Sequence, residues 1–176
     1  MSSDFRKRVL MGTKFESTVN LKDYGNVEVR VRALPDLTIT QIEERTGETA
    51  IGVMKRIDEV QRTIQEKYKD VMATETVDTS TYLAISDDMM KMFTPSIKRF
   101  LADLAKAGIV LEPDPDCKCK GKEANCPVCG PGAVIDALRG TATAEIGIAV
   151  LTASLASWQE VEDFFSPTKG ASGPES

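Results

Sequence analysis

The sequence predicts an α+β fold that is mainly α, in which an N-terminal β-hairpin packs on five or six helices and a four-cysteine zinc loop is inserted between two of them. Three patterns predict this: alternating apolar and charged residues near the N-terminus, apolar residues spaced by three and four over most of the remainder, and the confinement of every cysteine to one short segment. A chain of 176 residues, 41% of them apolar, is long enough to bury a core in one main domain.

The hairpin is predicted over residues 14–34. Its second strand alternates apolar and charged residues from Val27 to Arg32, which predicts that Val27, Val29 and Val31 face inward. The segment before it contains Gly25 and is typical of a turn. Because an isolated hairpin is marginally stable, we expect a helix or a further strand to cover the valine face.

Two helices are expected next. Pro35 ends the strand, and Thr38 or Thr40 is expected to cap a short helix that ends at Gly47. A longer helix is predicted over residues 49–72, where one apolar stripe runs along a charged surface: Val53, Ile57, Val60, Ile64, Tyr68 and Val71. A core-facing position for the stripe is favoured over a coiled-coil seam, which needs a longer repeat. Contact with another chain stays open.

A threonine-rich loop is predicted over residues 73–81. Ser86 is then expected to cap a helix over residues 87–93, and Thr94 with Pro95 begins a further helix that ends at Gly108. The methionines beside Phe93 fit either gap filling in a core or contact with a partner. The candidate partner-binding residues are therefore drawn from the stripe and from this cluster: Val53, Ile57, Val60, Ile64, Met89, Met90 and Phe93.

The C-terminal part is predicted to contain several helical segments. A short one covers residues 133–138, the chain breaks at Gly140 and restarts near Thr141 or Thr143, and a capping box at Ser157 begins a last helix over residues 158–165. The predicted organisation is an N-terminal arm (1–13), a hairpin with a helical domain (14–111), a zinc-binding loop (112–132), C-terminal helices of the same domain (133–166) and a disordered tail (167–176).

The cysteines form two close pairs, Cys117 with Cys119 and Cys126 with Cys129. Four thiolates supply the closed tetrahedral shell that structural Zn²⁺ prefers, and the second pair has Cys-x-x-Cys spacing. Two alternatives remain: disulfides, of which one between Cys117 and Cys119 would close a very tight ring, and free thiols. Zinc is favoured because four clustered thiols in a polar loop would be prone to oxidation.

The composition argues against several functions. The chain has no histidine, so an open catalytic zinc site is not expected, and neither a phosphate-binding loop nor an activated nucleophile is recognisable. We therefore expect no enzyme. With 22 basic against 27 acidic residues, the chain has no general attraction for nucleic acid, although Lys118, Lys120 and Lys122 lie in the loop. The absence of a long apolar segment and of a secretory signal predicts a soluble intracellular protein that neither enters a membrane nor is secreted.

Two segments resemble tail assembly chaperones of tailed phages and related archaeal viruses. The hairpin sequence over residues 25–34, followed at once by a short acidic helix, is similar to the opening of that family. Residues 151–165 are similar to its ending, which is a pair of helices joined by a Ser/Thr-capped turn. The cysteine loop is a departure from the family pattern.

This resemblance implies a non-enzymatic protein of the host cytoplasm that binds the tape-measure protein, or other tail proteins, while the tail is built. The alternatives are a structural protein of the virus particle, in the tail or the head-tail connector, and a zinc-stabilised protein-interaction module. A homo-oligomer is compatible with each of these.

Overall fold

A computed structural model describes residues 16–73, 78–112, 116–119 and 126–165, the last nine of these by their backbone. Over these residues the fold is a three-stranded antiparallel sheet with seven helices, which confirms the predicted α+β, mainly α, class. The strands are β1 (Glu16–Leu21), β2 (Val27–Arg32) and β3 (Ile109–Val110). The helices are α1 (Asp36–Thr46), α2 (Ala50–Lys67), α3 (Lys69–Met72), α4 (Thr79–Met92), α5 (Pro95–Gly108), α6 (Pro131–Ala137) and α7 (Gly140–Phe165). The predicted arm and tail lie outside the described residues.

The hairpin is confirmed, and a third strand extends it. Strands β1 and β2 pair antiparallel with Val19 opposite Val29, and Gly25 takes a φ of 75° in the connecting turn. Strand β3 pairs with the other edge of β2, with Ile109 opposite Val31. The sequence did not predict this strand, because two residues are too few to show an alternating pattern. The prediction that all three valines face inward is wrong for Val27, which is 51% exposed at the turn, whereas Val31 is fully buried.

The first helices begin and end differently from the prediction in three places. Helix α1 starts at Asp36 rather than after a threonine cap, because Pro35 already has the extended conformation of an N-cap. Helix α2 ends at Lys67 and α3 follows as a separate short helix, so the predicted single helix is interrupted. Helix α4 begins at Thr79, where the Asp78 side chain accepts a hydrogen bond from the backbone N–H of Thr81.

Consequently the predicted cap at Ser86 is wrong, since Ser86 is a buried residue inside α4. Part of the predicted loop, residues 74–77, lies outside the described residues. The Thr94 cap with Pro95 at the first helical position is confirmed, as is the end of α5 at Gly108.

The predicted break at Ser157 is also wrong, because α7 runs without interruption for 26 residues. The capping-box pattern is present, but no glycine or proline lies between residues 148 and 165 to end the preceding helix. The described ending is therefore one helix, not the pair that the tail-chaperone resemblance implies.

The core is built around α5 and α7, which pack on each other while α7 also covers β1 and β2. At their closest approach, a Cβ placed on Gly147 would lie 2.3 Å from the carbonyl oxygen of Leu101. The largest fully buried apolar side chains are Phe100, Ile39, Leu101, Leu104, Ile146, Leu151, Val31, Val53, Val60 and Val150. None of the helices in the described part of the chain has both the length and the apolar character needed to cross a membrane.

Candidate metal centre

The loop that joins β3 to α6 brings the four cysteines together. Cys117 and Cys119 lie on its incoming side, and Cys126 and Cys129 lie immediately before α6. The backbone N–H of Gly130 donates to the carbonyl oxygen of Cys126 (3.0 Å), and Gly130 is also the N-cap of α6, with Pro131 at the first helical position. The second cysteine pair is thus fixed directly to the start of a helix.

The four sulfur atoms all lie within 4.8 Å of one another. The Sγ atoms of Cys117 and Cys126 are 3.6 Å apart, and those of Cys119 and Cys129 are 3.5 Å apart. A tetrahedral zinc site with Zn–S bonds of about 2.3 Å has sulfur–sulfur edges of about 3.8 Å. The observed arrangement therefore has the size of a four-thiolate shell, and the four cysteines could hold a metal ion.

Backbone hydrogen bonds distinguish Cys126 from the other cysteines. Its sulfur accepts from the N–H groups of Val128 (3.4 Å) and Cys129 (3.5 Å), and the side chain is only 9% exposed. The N–H groups of Cys129 and Val128 are the main causes that lower the pKa of the Cys126 thiol to about 6. In contrast, the neighbouring Cys117 sulfur is the main cause that raises the pKa of Cys129. The two N–H donors therefore favour the thiolate form of Cys126, which is the form that binds a metal.

The disulfide alternative does not describe this structure, because all four cysteines are free thiols. A disulfide requires sulfur atoms about 2.05 Å apart, well short of the observed separations. Among the loop lysines, Lys118 is exposed, whereas Lys120 and Lys122 lie outside the described residues.

The sequence did not reveal two features of this loop. The first is the pair of N–H donors to Cys126, which the Cys-Pro-Val-Cys-Gly pattern could have indicated since such short turns direct N–H groups at a ligand sulfur. The second is Val128, whose side chain projects from the loop and is 75% exposed.

The candidate partner-binding residues lie elsewhere, and most are not on the surface. Five of them belong to the buried core: Val53, Ile57, Val60, Ile64 and Phe93. Met89 and Met90 are half-buried and pack against that core. The core-facing position that the sequence favours therefore describes the stripe residues of α2, and these side chains are not on the surface available to a partner. The stripe residues of helix α2 pack against α4 and the interior of the same chain.

Comparison with known proteins adds no relative: no family model, curated protein or solved structure matches the chain.

Proposed function

We propose that the four-cysteine loop binds one Zn²⁺ as a structural site. The observation that carries this proposal is the grouping of all four sulfur atoms within 4.8 Å. Zn²⁺ fits such a set because it accepts four thiolates in a closed tetrahedral shell. Cys117, Cys119, Cys126 and Cys129 would then hold the ion, leaving no position open for a substrate or a reactive water. The zinc joins the two sides of a loop that has little apolar core of its own.

The metal content of the purified chain tests this proposal. We expect about one zinc per chain by elemental mass spectrometry, lost in the Cys126→Ser variant together with a lower melting temperature. Val128→Ala is the matched control, because it changes an exposed side chain in the same turn and leaves every ligand in place. A reduced wild-type chain without tightly bound metal would contradict the site.

We further propose that the protein acts without enzymatic activity in the host cytoplasm, as a viral tail assembly chaperone that binds the tape-measure protein. The resemblance of residues 25–34 and the small acidic helical fold support this. The continuous α7 departs from the family ending, and the stripe on α2 is occupied by the core. The tape-measure protein would therefore contact other apolar side chains. Among the described residues, the most exposed large apolar side chains are those of Leu37, Ile51 and Val128.

A tagged pull-down from the native host during virus production tests this role. Recovery of a long helical tape-measure protein, with this chain missing from finished particles, is the expected result. A Leu37→Ser, Ile51→Ser variant should recover less of that protein than the wild-type chain does. An unchanged melting temperature of this variant would show that the loss does not come from unfolding. Failure to recover any tail protein would contradict the viral role and leave the zinc proposal intact.

A structural component that stays in the particle, or a zinc-stabilised interaction module, is the second candidate. The exposed Val128, in the turn between Cys126 and Cys129, favours it, because an exposed apolar side chain suits docking. This candidate predicts a fixed copy number in the finished particle. The same mass-spectrometric count therefore separates the two roles.

A further inference from the structure

The four thiols also form two sulfur pairs that cross the loop. Cys117 on the incoming side faces Cys126 at 3.6 Å, and Cys119 faces Cys129 at 3.5 Å. To form a disulfide in either pair, the two sulfur atoms must approach each other by about 1.5 Å, given a bond length of about 2.05 Å. A shift of that size is within the range of side-chain rotation.

Pairing within each side of the loop is less favourable. Cys117 and Cys119 are separated by one residue, so a disulfide between them closes a strained ring. If Cys126 and Cys129 paired with each other, Cys117 and Cys119 would be left with only that strained partner. Oxidation of all four thiols without strain therefore requires two bonds that cross the loop.

We infer that a hydroperoxide oxidant exchanges the zinc for two cross-loop disulfides, Cys117–Cys126 and Cys119–Cys129. This inference rests on the proposed zinc site. Cys117 is partly exposed in the first pair, and Cys119 and Cys129 are both partly exposed in the second. A small oxidant can therefore reach a sulfur atom in each pair. The disulfides still join the two sides of the loop after the metal leaves. Oxidation therefore changes whether the loop holds zinc, but it does not open the loop.

The chemistry balances with hydrogen peroxide as the oxidant. One thiolate attacks a peroxide oxygen, the O–O bond breaks, and a sulfenic acid and hydroxide form. The facing thiolate then attacks the sulfenic sulfur, forms the S–S bond and expels a second hydroxide. Protons from the buffer convert both hydroxides to water. For both pairs, four thiolates lose four electrons, two peroxides are reduced, and Zn²⁺ leaves without changing its oxidation state.

Tryptic mapping of the oxidised full-length holoprotein tests the pairing. Trypsin cleaves after Lys118, Lys120 and Lys122, which places Cys117 in peptide 107–118, Cys119 in peptide 119–120, and both remaining cysteines in peptide 123–139. Cross-loop bonds join all three peptides into one species. We expect this species to form as a chromogenic chelator records one zinc released per about two peroxides, with both changes reversed by dithiothreitol and zinc. Peptide 123–139 recovered alone with an internal disulfide would overturn the inference.

Two double variants identify which cross-loop partners pair. Cys119→Ser with Cys129→Ser leaves Cys117 and Cys126, whereas Cys117→Ser with Cys129→Ser leaves Cys119 and Cys126, so both variants keep Cys126. Each variant removes two zinc ligands, one from each side of the loop, so they are matched. We expect the first to form its disulfide several-fold faster, and equal rates would overturn the assigned pairing. A wild-type chain that holds no zinc overturns the metal site itself, whereas zinc release with local disulfides overturns only this inference.

Discussion

Ser154 links the hairpin exit to the longest helix by two hydrogen bonds. Its hydroxyl oxygen accepts from the backbone N–H of Leu34 (2.9 Å), and the hydroxyl donates to the carbonyl oxygen of Val150 (2.6 Å). The side chain is fully buried. Because a buried donor without a partner costs more than the average hydrogen bond contributes, this serine is a specific requirement of the fold.

We expect Ser154→Ala to lower the free energy of unfolding by about 1–2 kcal/mol, since the lost acceptor outweighs the better helix propensity of alanine. Urea unfolding followed by circular dichroism measures this change. Thr152→Ala on the exposed side of the same helix is the matched control and should change stability by less than about 0.5 kcal/mol. Equal effects of the two substitutions would contradict this role of Ser154.

Asp88 of α4 accepts from three donors, of which Lys67 and Tyr68 lie at the end of α2 and Lys91 lies on α4 itself. Its carboxylate accepts from Lys67 Nζ (2.5 Å), the Tyr68 hydroxyl (2.7 Å) and Lys91 Nζ (3.0 Å). These hydrogen bonds hold the pKa of Asp88 well below its usual range, and the hydrogen bond from Lys67 has the largest effect. A lowered pKa means that the contribution to stability is complete above the unfolded pKa of about 3.9 and declines as the pH falls below it.

We therefore expect Asp88→Asn to lower the melting temperature at neutral pH, with a difference from wild type that shrinks between about pH 4 and pH 2. Melting curves over this pH range check the prediction. Asp87→Asn changes the exposed neighbour on the same helix and serves as the control. A difference that stays constant with pH would show that charge at Asp88 has no part in the effect.

At the scale of elements, the close contact between α5 and α7 requires glycine at two positions, Gly108 on α5 against Val150 and Gly147 on α7 against Leu101. A Cβ on Gly147 would meet three backbone atoms of Leu101 at 2.3–2.9 Å, and backbone cannot move aside as a flexible side chain can. The two helices would have to separate, which disturbs the buried residues on both sides. Glycine is accepted inside α7 for this reason, despite its poor helix propensity.

We expect Gly147→Ala to destabilise the chain by about 1–3 kcal/mol, although alanine favours helix. Chemical unfolding measures the loss. Gly132→Ala in α6 is the matched control, because its Cβ would meet no atom within 4 Å. A stabilised Gly147→Ala variant would mean that the two helices do not approach as closely as described.

Sequence reasoning located most elements where a residue acts locally. Thr94 with Pro95, and Gly47 with its φ of 74°, mark helix boundaries through their own conformational preferences, and both were predicted correctly. It failed where a distant contact decides: Ile109 becomes a strand only because β2 offers an edge, and Val27 is exposed although it continues the alternation that buries Val31. Ser157 shows the converse, a cap pattern that has no effect because nothing ends α7.

The four-cysteine cluster was predictable to the level of its members, because cysteine spacing alone indicates a set of four thiolates that could hold a metal ion. The cross-loop sulfur pairs and the N–H donors to Cys126 were not, since they depend on how the loop folds back on itself. Conversely, the four stripe residues on α2 are buried, as the favoured core-facing position predicts, whereas Val71 beyond α2 is 37% exposed. The sequence left open whether its own chain or a partner covers the stripe. That choice depends on the placement of α4, which the stripe does not encode.

Over the whole molecule, the metal loop and the core are joined through α6. Gly130 connects the second cysteine pair to this helix, and Ile135 of α6 belongs to the main core cluster, which includes none of the four cysteines although Cys126 is itself buried. The buried residues Leu101, Leu104 and Ile146 lie on α5 and α7, which pack on each other, and not on the loop. We therefore expect metal removal to loosen the loop and α6 while the main helices persist.

Hydrogen exchange with and without a zinc chelator, on the reduced chain, measures this separation. Peptides that contain residues 126–138 should exchange faster after chelation, because the N–H of Gly130 and the start of α6 depend on the loop. Peptides from α5 and from residues 141–151 of α7 should keep their protection, since α5 and α7 pack mainly on each other, α7 also covers the sheet, and α5 contacts α6 to a smaller extent. The chelated Cys126→Ser variant is the control and should show no further change. Loss of protection in α5 and α7 as well would mean that zinc supports the whole fold rather than one loop.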